Sequence, residues 1–239
     1  MGKRSKNKTS KRSRLGLIWR WSWRLVALLV LVDMAYLAVI WPDWSNYQSG
    51  PVETSNFIDR YQSGRQENPE WPSLRWNPVP LESIPEHMMR AVVVAEDSRF
   101  YEHKGIDVEA FKEAMQYNWS ERRMVYGAST ISQQTVKNLF LSPSRSPLRK
   151  WHELVITLGM ERNLSKQRIL ELYLNVAEFG RGIYGVDAAA RYYWGVPIYR
   201  LDKRHAIELA ATLPSPVKHN PLTQTRSFQR RVAKIQRYY

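Results

Sequence analysis

A continuous run of apolar residues near the N-terminus is the first regular pattern in the chain. It extends from Trp23 to Trp41, about the twenty residues that a helix needs to cross a bilayer. Tryptophans stand at both ends, as in interfacial aromatic belts, and the nearby Lys and Arg lie on the N-terminal side. The run predicts a transmembrane helix over 23–41, a basic cytoplasmic tail over 1–22 and an exported remainder.

A cleaved signal peptide is the alternative interpretation of this run. No small-x-small cleavage site occurs in the residues from Val39 to Pro42, so we expect an uncleaved anchor. Asp33 lies within the predicted span, where an ionisable side chain is costly and often has a partner or a function. The sequence identifies neither for Asp33, and a tolerated carboxyl group explains it equally well.

Beyond the span, the pattern divides into an irregular part and a helical part. Residues 42–76 keep no period of 3.6 or 2, which predicts a linker and a membrane-proximal segment. From Ser83 onward apolar residues recur at helical spacing, as at Phe111 and Met115. Residues 77–239 are therefore predicted to form one mainly α domain.

Composition limits the possible functions. The net charge is +14, but nine basic residues precede the first acidic residue, Asp33, so the charge is weak support for nucleic-acid binding. The chain has no cysteine, which excludes disulfides, cysteine nucleophiles and thiolate zinc sites. Metalloprotease histidine spacing, phosphate-binding loops, dinucleotide motifs and the Gly-x-Ser-x-Gly elbow are also absent from the sequence.

The first candidate for chemistry is a carboxylate at the end of an apolar helix. In that helix, Met89, Val92 and Val93 share one face with Glu96. Partial burial would raise the pKa of Glu96 toward the range that a general base or acid needs near neutral pH. A helix-end carboxylate that pairs with a nearby arginine is the structural alternative.

The second candidate is a polar helix face after Gly127. Ser129 is the predicted N-cap. The spacing i, i+3, i+4, i+7 then places four polar residues on one face: Thr130, Gln133, Gln134 and Lys137. Such a face beside a helix N-terminus would suit a sugar that bears a phosphate. An ordinary solvated helix face is the alternative.

The third candidate is a basic cluster from Arg145 to Glu153. Pro147 is well placed for a first helical turn. Arg149 and Glu153 are four residues apart, which is compatible with a surface ion pair. The functional interpretation is a pocket for a diphosphate, with Glu153 as a second carboxylate facing Glu96 across a cleft.

In this order, these segments resemble the peptidoglycan glycosyltransferase family, which includes monofunctional transglycosylases and the first domain of class A penicillin-binding proteins. The family motif Glu-Asp-x-x-Phe-x-x-His-x-Gly reads at 96–105, and Gly-x-Ser-Thr-Ile-x-Gln-Gln reads at 127–134. Arg-Lys-x-x-Glu corresponds to 149–153, and Lys-x-x-Ile-Leu-Glu-x-Tyr-Leu-Asn to 166–175. The resemblance covers about residues 77–222.

Two segments depart from the family pattern. Tyr192 to Val196 stands where Tyr-Phe-Gly-Lys is frequent, and His219-Asn220-Pro221 stands where Tyr-Asn-Pro is common. Neither position has a chemical role in the family.

The resemblance implies a lysozyme-like helical domain that polymerises lipid II into β-1,4-linked glycan strands, inverts the anomeric carbon and releases polyprenyl diphosphate. Glu96 would be the general base, and Glu153 would assist near the phosphate. The residues that would bind the substrate are Asp97, Arg99, Phe100, Ser129, Gln133, Gln134, Lys137, Asn138, Arg145 and Arg149.

The resemblance also implies partners and a location. No tightly bound cofactor and no dedicated metal ligands are expected, although Mg²⁺ or Mn²⁺ would serve as an activator that screens the diphosphate. The expected partners are lipid II, the lipid-linked strand, the membrane and cell-division or elongation proteins, with no nucleic acid. The expected place is the bacterial cytoplasmic (inner) membrane, in a single pass, with the N-terminus cytoplasmic and the catalytic domain periplasmic.

Two other classes of protein remain as alternatives. One is a lytic glycosidase on the same scaffold, and the other is a membrane-tethered protein that binds nucleic acid or serves as a scaffold. The polar helix face and the basic cluster have no evident use in a hydrolase that acts on neutral glycosidic links.

Overall fold

The computed structural model describes residues 7–122 and 127–239, so residues 1–6 of the predicted tail lie outside the described part. The chain divides into an N-terminal unit that ends at Trp41 and a larger unit that begins at Pro42. The described part of the N-terminal unit contains one helix, α1 (Asn7–Ile40). Its segment Trp19–Ile40 has 22 residues and a mean hydropathy of 2.1, and none of it is buried inside the protein. This segment is long and apolar enough to cross a membrane, and it includes most of the predicted span 23–41.

The larger unit is mostly helical. In its described residues the helices are α2 (Asn56–Glu67), α3 (Glu86–Glu96), α4 (Val108–Ser120), α5 (Ile131–Phe140), α6 (Pro147–Asn163), α7 (Lys166–Val176), α8 (Val186–Trp194), α9 (Lys203–Thr212) and α10 (Arg226–Tyr238). A small sheet has the order β1–β3–β2. In it, β3 (Ile183–Tyr184) pairs in parallel with β1 (Arg75–Trp76) and antiparallel with β2 (Glu178–Gly180). The predicted mainly α fold is confirmed.

The core forms around α5, α7 and α9. Helix α5 packs against α6 and α7, while α9 packs against α3 and α10. Helix α7 is buried on nearly every side, as expected of a central helix. Its buried residues are Arg168, Ile169, Leu170, Leu172, Tyr173, Leu174, Asn175 and Val176. These packing contacts bring the end of α3, the start of α5 and the C-terminal α10 together.

The segment 42–76 differs from the predicted linker, because its residues are part of the larger folded unit. The hydroxyl of Ser55 caps α2, and this helix buries Ile58 and Tyr61. The Tyr61 ring stacks on Trp71 with 5.6 Å between ring centroids. The expectation of an irregular segment is therefore wrong for 56–67. The helix was hard to recognise because its apolar positions are confined to its first turns and Gly64 interrupts it.

Candidate active site

The carboxylate of Glu96 lies at the C-terminal end of α3, where it has two hydrogen-bonding partners. Gln134 Nε2 donates to it at 2.8 Å and Arg231 Nη2 donates at 2.5 Å. The side chain of Glu96 is only 10% exposed. The buried face of α3 consists of Met88, Ala91 and Val92, so it is rotated by about one residue from the predicted face, and Glu96 follows it four residues after Val92.

Opposing influences act on the protonation of Glu96. Burial raises the pKa of Glu96, while the charge of Arg231, the hydrogen bond from Gln134 and the charge of Lys137 act to lower it. The buried Tyr173 hydroxyl donates to Gln134 Oε1 at 3.3 Å, which orients the amide so that its nitrogen points to Glu96. A carboxylate in this setting is suited to accept a proton from a substrate hydroxyl.

Asp97 ties the end of α3 to the start of α5. Its carboxylate accepts hydrogen bonds from Ile131 N at 2.9 Å and from His103 Nε2 at 3.0 Å. The Thr130 hydroxyl adds a bond to the Gly105 carbonyl at 2.6 Å. The loop that follows Glu96 is therefore anchored to α5 by side chains of the first two motifs.

The N-cap of α5 is Thr130 and not the predicted Ser129. The Thr130 hydroxyl accepts from Gln133 N, and the Gln133 side chain accepts from Thr130 N, which together form a capping box. The side-chain oxygen of Gln133 is therefore already bonded to the backbone. Gln134, in contrast, donates to Glu96, a contact that the predicted polar face did not include.

Other predicted binding residues have different degrees of access to solvent. Phe100 has no exposed surface, and Lys166 Nζ lies 4.4 Å from the centre of its ring. Asn138 is 7% exposed. Arg99 pairs with Asp107 and Glu109, so it does not pair with Glu96. Of these residues, Phe100 supports the loop from inside, while Arg99 lines a cleft.

The basic cluster surrounds a second buried carboxylate. Glu153 is 2% exposed, and Arg149 and Lys150 both donate to it. Lys150 Nζ also donates to Ser129 Oγ at 3.0 Å, which links the start of α6 to the segment before α5. Arg145 is exposed, and it pairs with no acidic side chain in residues 7–122 and 127–239. The cluster thus combines side chains from two motifs and retains an unpaired cation.

Lys137 joins the two carboxylates electrostatically. Burial lowers the pKa of Lys137, and the charges of Glu153 and Glu96 both act to raise it. Its ammonium group also lies 5.7 Å from the centre of the Phe57 ring. The charge of Lys137 is therefore influenced both by Glu96 and by the carboxylate of the basic cluster.

A cleft of about 440 Å³ opens beside Glu96. Its walls come from the end of α3, from α4, from the segment Gly127–Thr130 and from α10. Among the predicted site residues it is lined by Glu96, Asp97, Arg99 and Ser129. The exposed part of the Glu96 side chain therefore faces this cleft.

One group of possible metal ligands occurs in the described residues, at Asp97, His103 and Asp107. Asp97 already accepts from Ile131 N and His103, and Asp107 caps α4 and pairs with Arg99. These protein hydrogen bonds account for the clustering of the three side chains.

Sequence reasoning missed two residues of the hydrogen-bond network around Glu96. Tyr173, which bonds to Gln134, belongs to the fourth motif, and nothing in that motif gave a reason to connect the two. Arg231 lies 135 residues after Glu96, and no local spacing relates the two. The only signal for Arg231 was its position in a basic C-terminal segment.

Comparison with known proteins agrees with this arrangement. The Transglycosylase family profile matches residues 66–238. The chain belongs to this family. A protein of Azoarcus sp. (strain BH72) is 45% identical over 221 residues, which cover 90% of this chain and 91% of the relative. The prediction of family membership is confirmed.

Two further relatives show how far the similarity extends. One from Thiobacillus denitrificans is 42% identical over 226 residues, 92% of this chain and 95% of its own length. One from Aeromonas hydrophila subsp. hydrophila is 50% identical over 159 residues, 66% of this chain and 67% of the relative. All three are named biosynthetic peptidoglycan transglycosylase.

Proposed function

We propose that this chain is a peptidoglycan glycosyltransferase that polymerises lipid II into β-1,4-linked glycan strands for cell wall synthesis. Membership of the transglycosylase family and the shared name of its relatives support this reaction class. The structural observation that carries the proposal is the largely buried carboxylate of Glu96 at the wall of a polar cleft, where Gln134 and Arg231 donate hydrogen bonds to it.

Glu96 is the general base in this proposal. It takes the proton from the 4-hydroxyl of the acceptor sugar, and the hydroxyl oxygen forms a bond to the anomeric carbon of the donor. The bond from that carbon to the diphosphate oxygen breaks, so an α-linked diphosphate becomes a β-linked glycoside. Gln134 and Arg231 hold the carboxylate in place during the transfer.

The leaving diphosphate needs a cluster of positive charges on the other side of the donor sugar. Lys137, Arg145 and Arg149 supply them in this proposal. Glu153 assists by holding Arg149 and Lys150, because a buried carboxylate with two cationic partners limits their movement. Mg²⁺ or Mn²⁺ would add to this screening as an activator.

The remaining predicted residues shape the sugar and phosphate positions. Ser129 and Arg99 line the cleft, so they are proposed to contact substrate directly. Asp97, Phe100, Gln133 and Asn138 are buried, and they are proposed to act by holding the cleft walls.

The apolar helix fits a reaction whose substrates are anchored in a membrane. Lipid II and the growing strand both carry polyprenyl chains, so a single-pass anchor raises the effective concentration of enzyme at their surface. The proposed location is the bacterial cytoplasmic membrane, with the catalytic domain on the periplasmic side. Cell-division or elongation proteins are proposed as further partners.

Substitution of Glu96 tests the proposal. Full-length wild-type protein is assayed with lipid II for strand formation, in parallel with Glu96→Gln, which keeps the size of the side chain and removes its basicity. We expect the variant to lose at least about a hundredfold in rate. Finished strands are incubated with the wild type in the same series. Cleavage of those strands would favour a lytic glycosidase, and a folded wild type that does neither would refute the proposed activity.

A further inference from the structure

A second cavity, of about 290 Å³, lies between the segment that follows α9 and the C-terminal helix α10. None of the proposed steps uses it. The polar residues that line it are Ser215, His219, Ser227, Arg230, Arg231 and Lys234. No carboxylate is among its described lining residues, so the chemistry of the cavity favours an anion.

Two details of the lining strengthen this interpretation. Arg230 is exposed on α10, so its guanidinium group is accessible to an anionic ligand in the cavity. His219 contributes an imidazole ring to the lining of the cavity. Its Nδ1 is 2.9 Å from the Thr225 hydroxyl, so the ring is oriented by the protein.

The cavity adjoins the active site through α10. Arg231 lines the cavity and also donates to Glu96. Lys234 lines both this cavity and the cleft that contains Glu96. The cleft and the cavity are therefore adjacent on one helix.

Lipid II has only two kinds of anionic group, the diphosphate and the carboxylates of its stem peptide. The diphosphate is proposed to bind at Lys137 on α5, at Arg149 on α6 and at Arg145 in the segment between these helices. We propose that the cavity on α10 binds a stem-peptide carboxylate of the substrate, with the exposed Arg230 as the cation that pairs with it. This inference rests on the proposed function, and it adds a peptide subsite to it.

The test compares two substrates with full-length protein in a non-ionic detergent, which removes anionic lipid headgroups as competing ligands. One substrate is lipid II, and the other is lipid II with its peptide carboxylates converted to amides. Steady-state polymerisation is measured for wild type, Arg230→Gln, Arg230→Lys and Arg162→Gln. Arg162 is an exposed arginine of α6 that lines neither cavity, so it is the matched control.

We expect amidation of the substrate to raise KM about five- to tenfold for wild type and for Arg162→Gln, because a charge-assisted hydrogen bond is lost. Arg230→Gln should show the raised KM already with ordinary lipid II, with no further rise on amidation and little change in kcat. Arg230→Lys should recover part of the affinity.

Three outcomes would overturn the inference. An equal effect of amidation in wild type and Arg230→Gln, with no change in the KM of the variant for ordinary lipid II, would place the peptide carboxylate elsewhere. An Arg230→Gln variant whose KM is raised over wild type by the same factor for both substrates would indicate that the cavity serves the diphosphate. A wild type that polymerises neither substrate would refute the proposed function, and the peptide subsite would fail with it.

Discussion

Glu96 owes its proposed basicity to a balance between desolvation and a cation from a distant part of the chain. Burial raises its pKa, and Arg231 is the strongest of the groups that oppose this rise. The carboxylate must be ionised to accept a proton, so Arg231 determines the pH at which the base becomes available.

Removal of the Arg231 charge should therefore move the acidic limb of the pH profile. In Arg231→Gln the pKa of Glu96 rises further, and we expect kcat/KM to begin its increase at a higher pH than in wild type. At neutral pH the loss should be about tenfold, as for a lost hydrogen bond to a charged group. The measurement is kcat/KM for strand formation as a function of pH.

Two controls separate this effect from a loss of structure. Arg231→Lys keeps the positive charge and should return the profile toward that of wild type. Arg237→Gln removes an exposed charge of the same helix and should leave the profile unchanged. An acidic limb at the same pH in Arg231→Gln and wild type would contradict the assigned role of Arg231.

At the scale of elements, the start of α5 shows what local sequence patterns predict and what they leave open. The glycine turn and the polar face were recognised from spacing, and α5 is where they placed a helix. Ser129 and Thr130 both have N-cap side chains, but only Thr130 has a glutamine three residues later to complete a capping box. The bond from the Thr130 hydroxyl to the Gly105 carbonyl is a contact across 25 residues that no local pattern predicts.

The contribution of the capping box to the free energy of unfolding should be measurable. Thr130→Ala removes the cap of α5 and the bond to Gly105, and we expect a loss of about 1 to 2 kcal/mol in the free energy of unfolding. Denaturant unfolding of the full-length protein in detergent measures it. Ser129→Ala should cost less than about 0.5 kcal/mol, and Thr130→Ser should retain most of the stability. A larger loss of unfolding free energy in Ser129→Ala than in Thr130→Ala would indicate that Ser129 is the N-cap.

Helix α2 illustrates the opposite case, in which long-range packing decides the structure of a segment. Its amphipathic pattern is short, and Gly64 interrupts it. A Cβ at Gly64 would lie 2.9 Å from the Trp71 ring, so the glycine serves close packing. Such a contact depends on residues beyond the helix, which is why periodicity alone predicted an irregular segment.

At the scale of the whole molecule, the site is assembled from segments spread over most of the larger unit. The apolar run before Glu96, the glycine turn with its polar face and the proline at Pro147 predicted helices that correspond to α3, α5 and α6. The C-terminal helix α10 carries Arg231 and Lys234, and it lies beyond the range of about 77–222 covered by the resemblance. Its part in the site emerges only from packing against α3 and α9.

The topology of the chain gives a prediction at this scale. Trp19–Ile40 is the one segment of the described residues that is long and apolar enough to cross a membrane, and the basic residues precede it, so the C-terminus should be exported. An alkaline phosphatase fused after Tyr239 should be active in bacterial cells. A fusion before Met1 should be inactive, and the reverse pattern would contradict the proposed location.

Glu96 and Asp97, the adjacent acidic residues that begin the first motif, have different roles. Glu96 faces the cleft, while Asp97 holds the first backbone amide of α5. Because Asp97 is adjacent to Glu96 in the chain, its bond to Ile131 N helps to fix the position of Glu96 relative to Gln134 on the same helix. An insertion between Glu96 and Asp97 would shift the Glu96 carboxylate away from Gln134 without removing either side chain. The spacing of these two acidic residues therefore constrains the proposed site as strictly as their identity does.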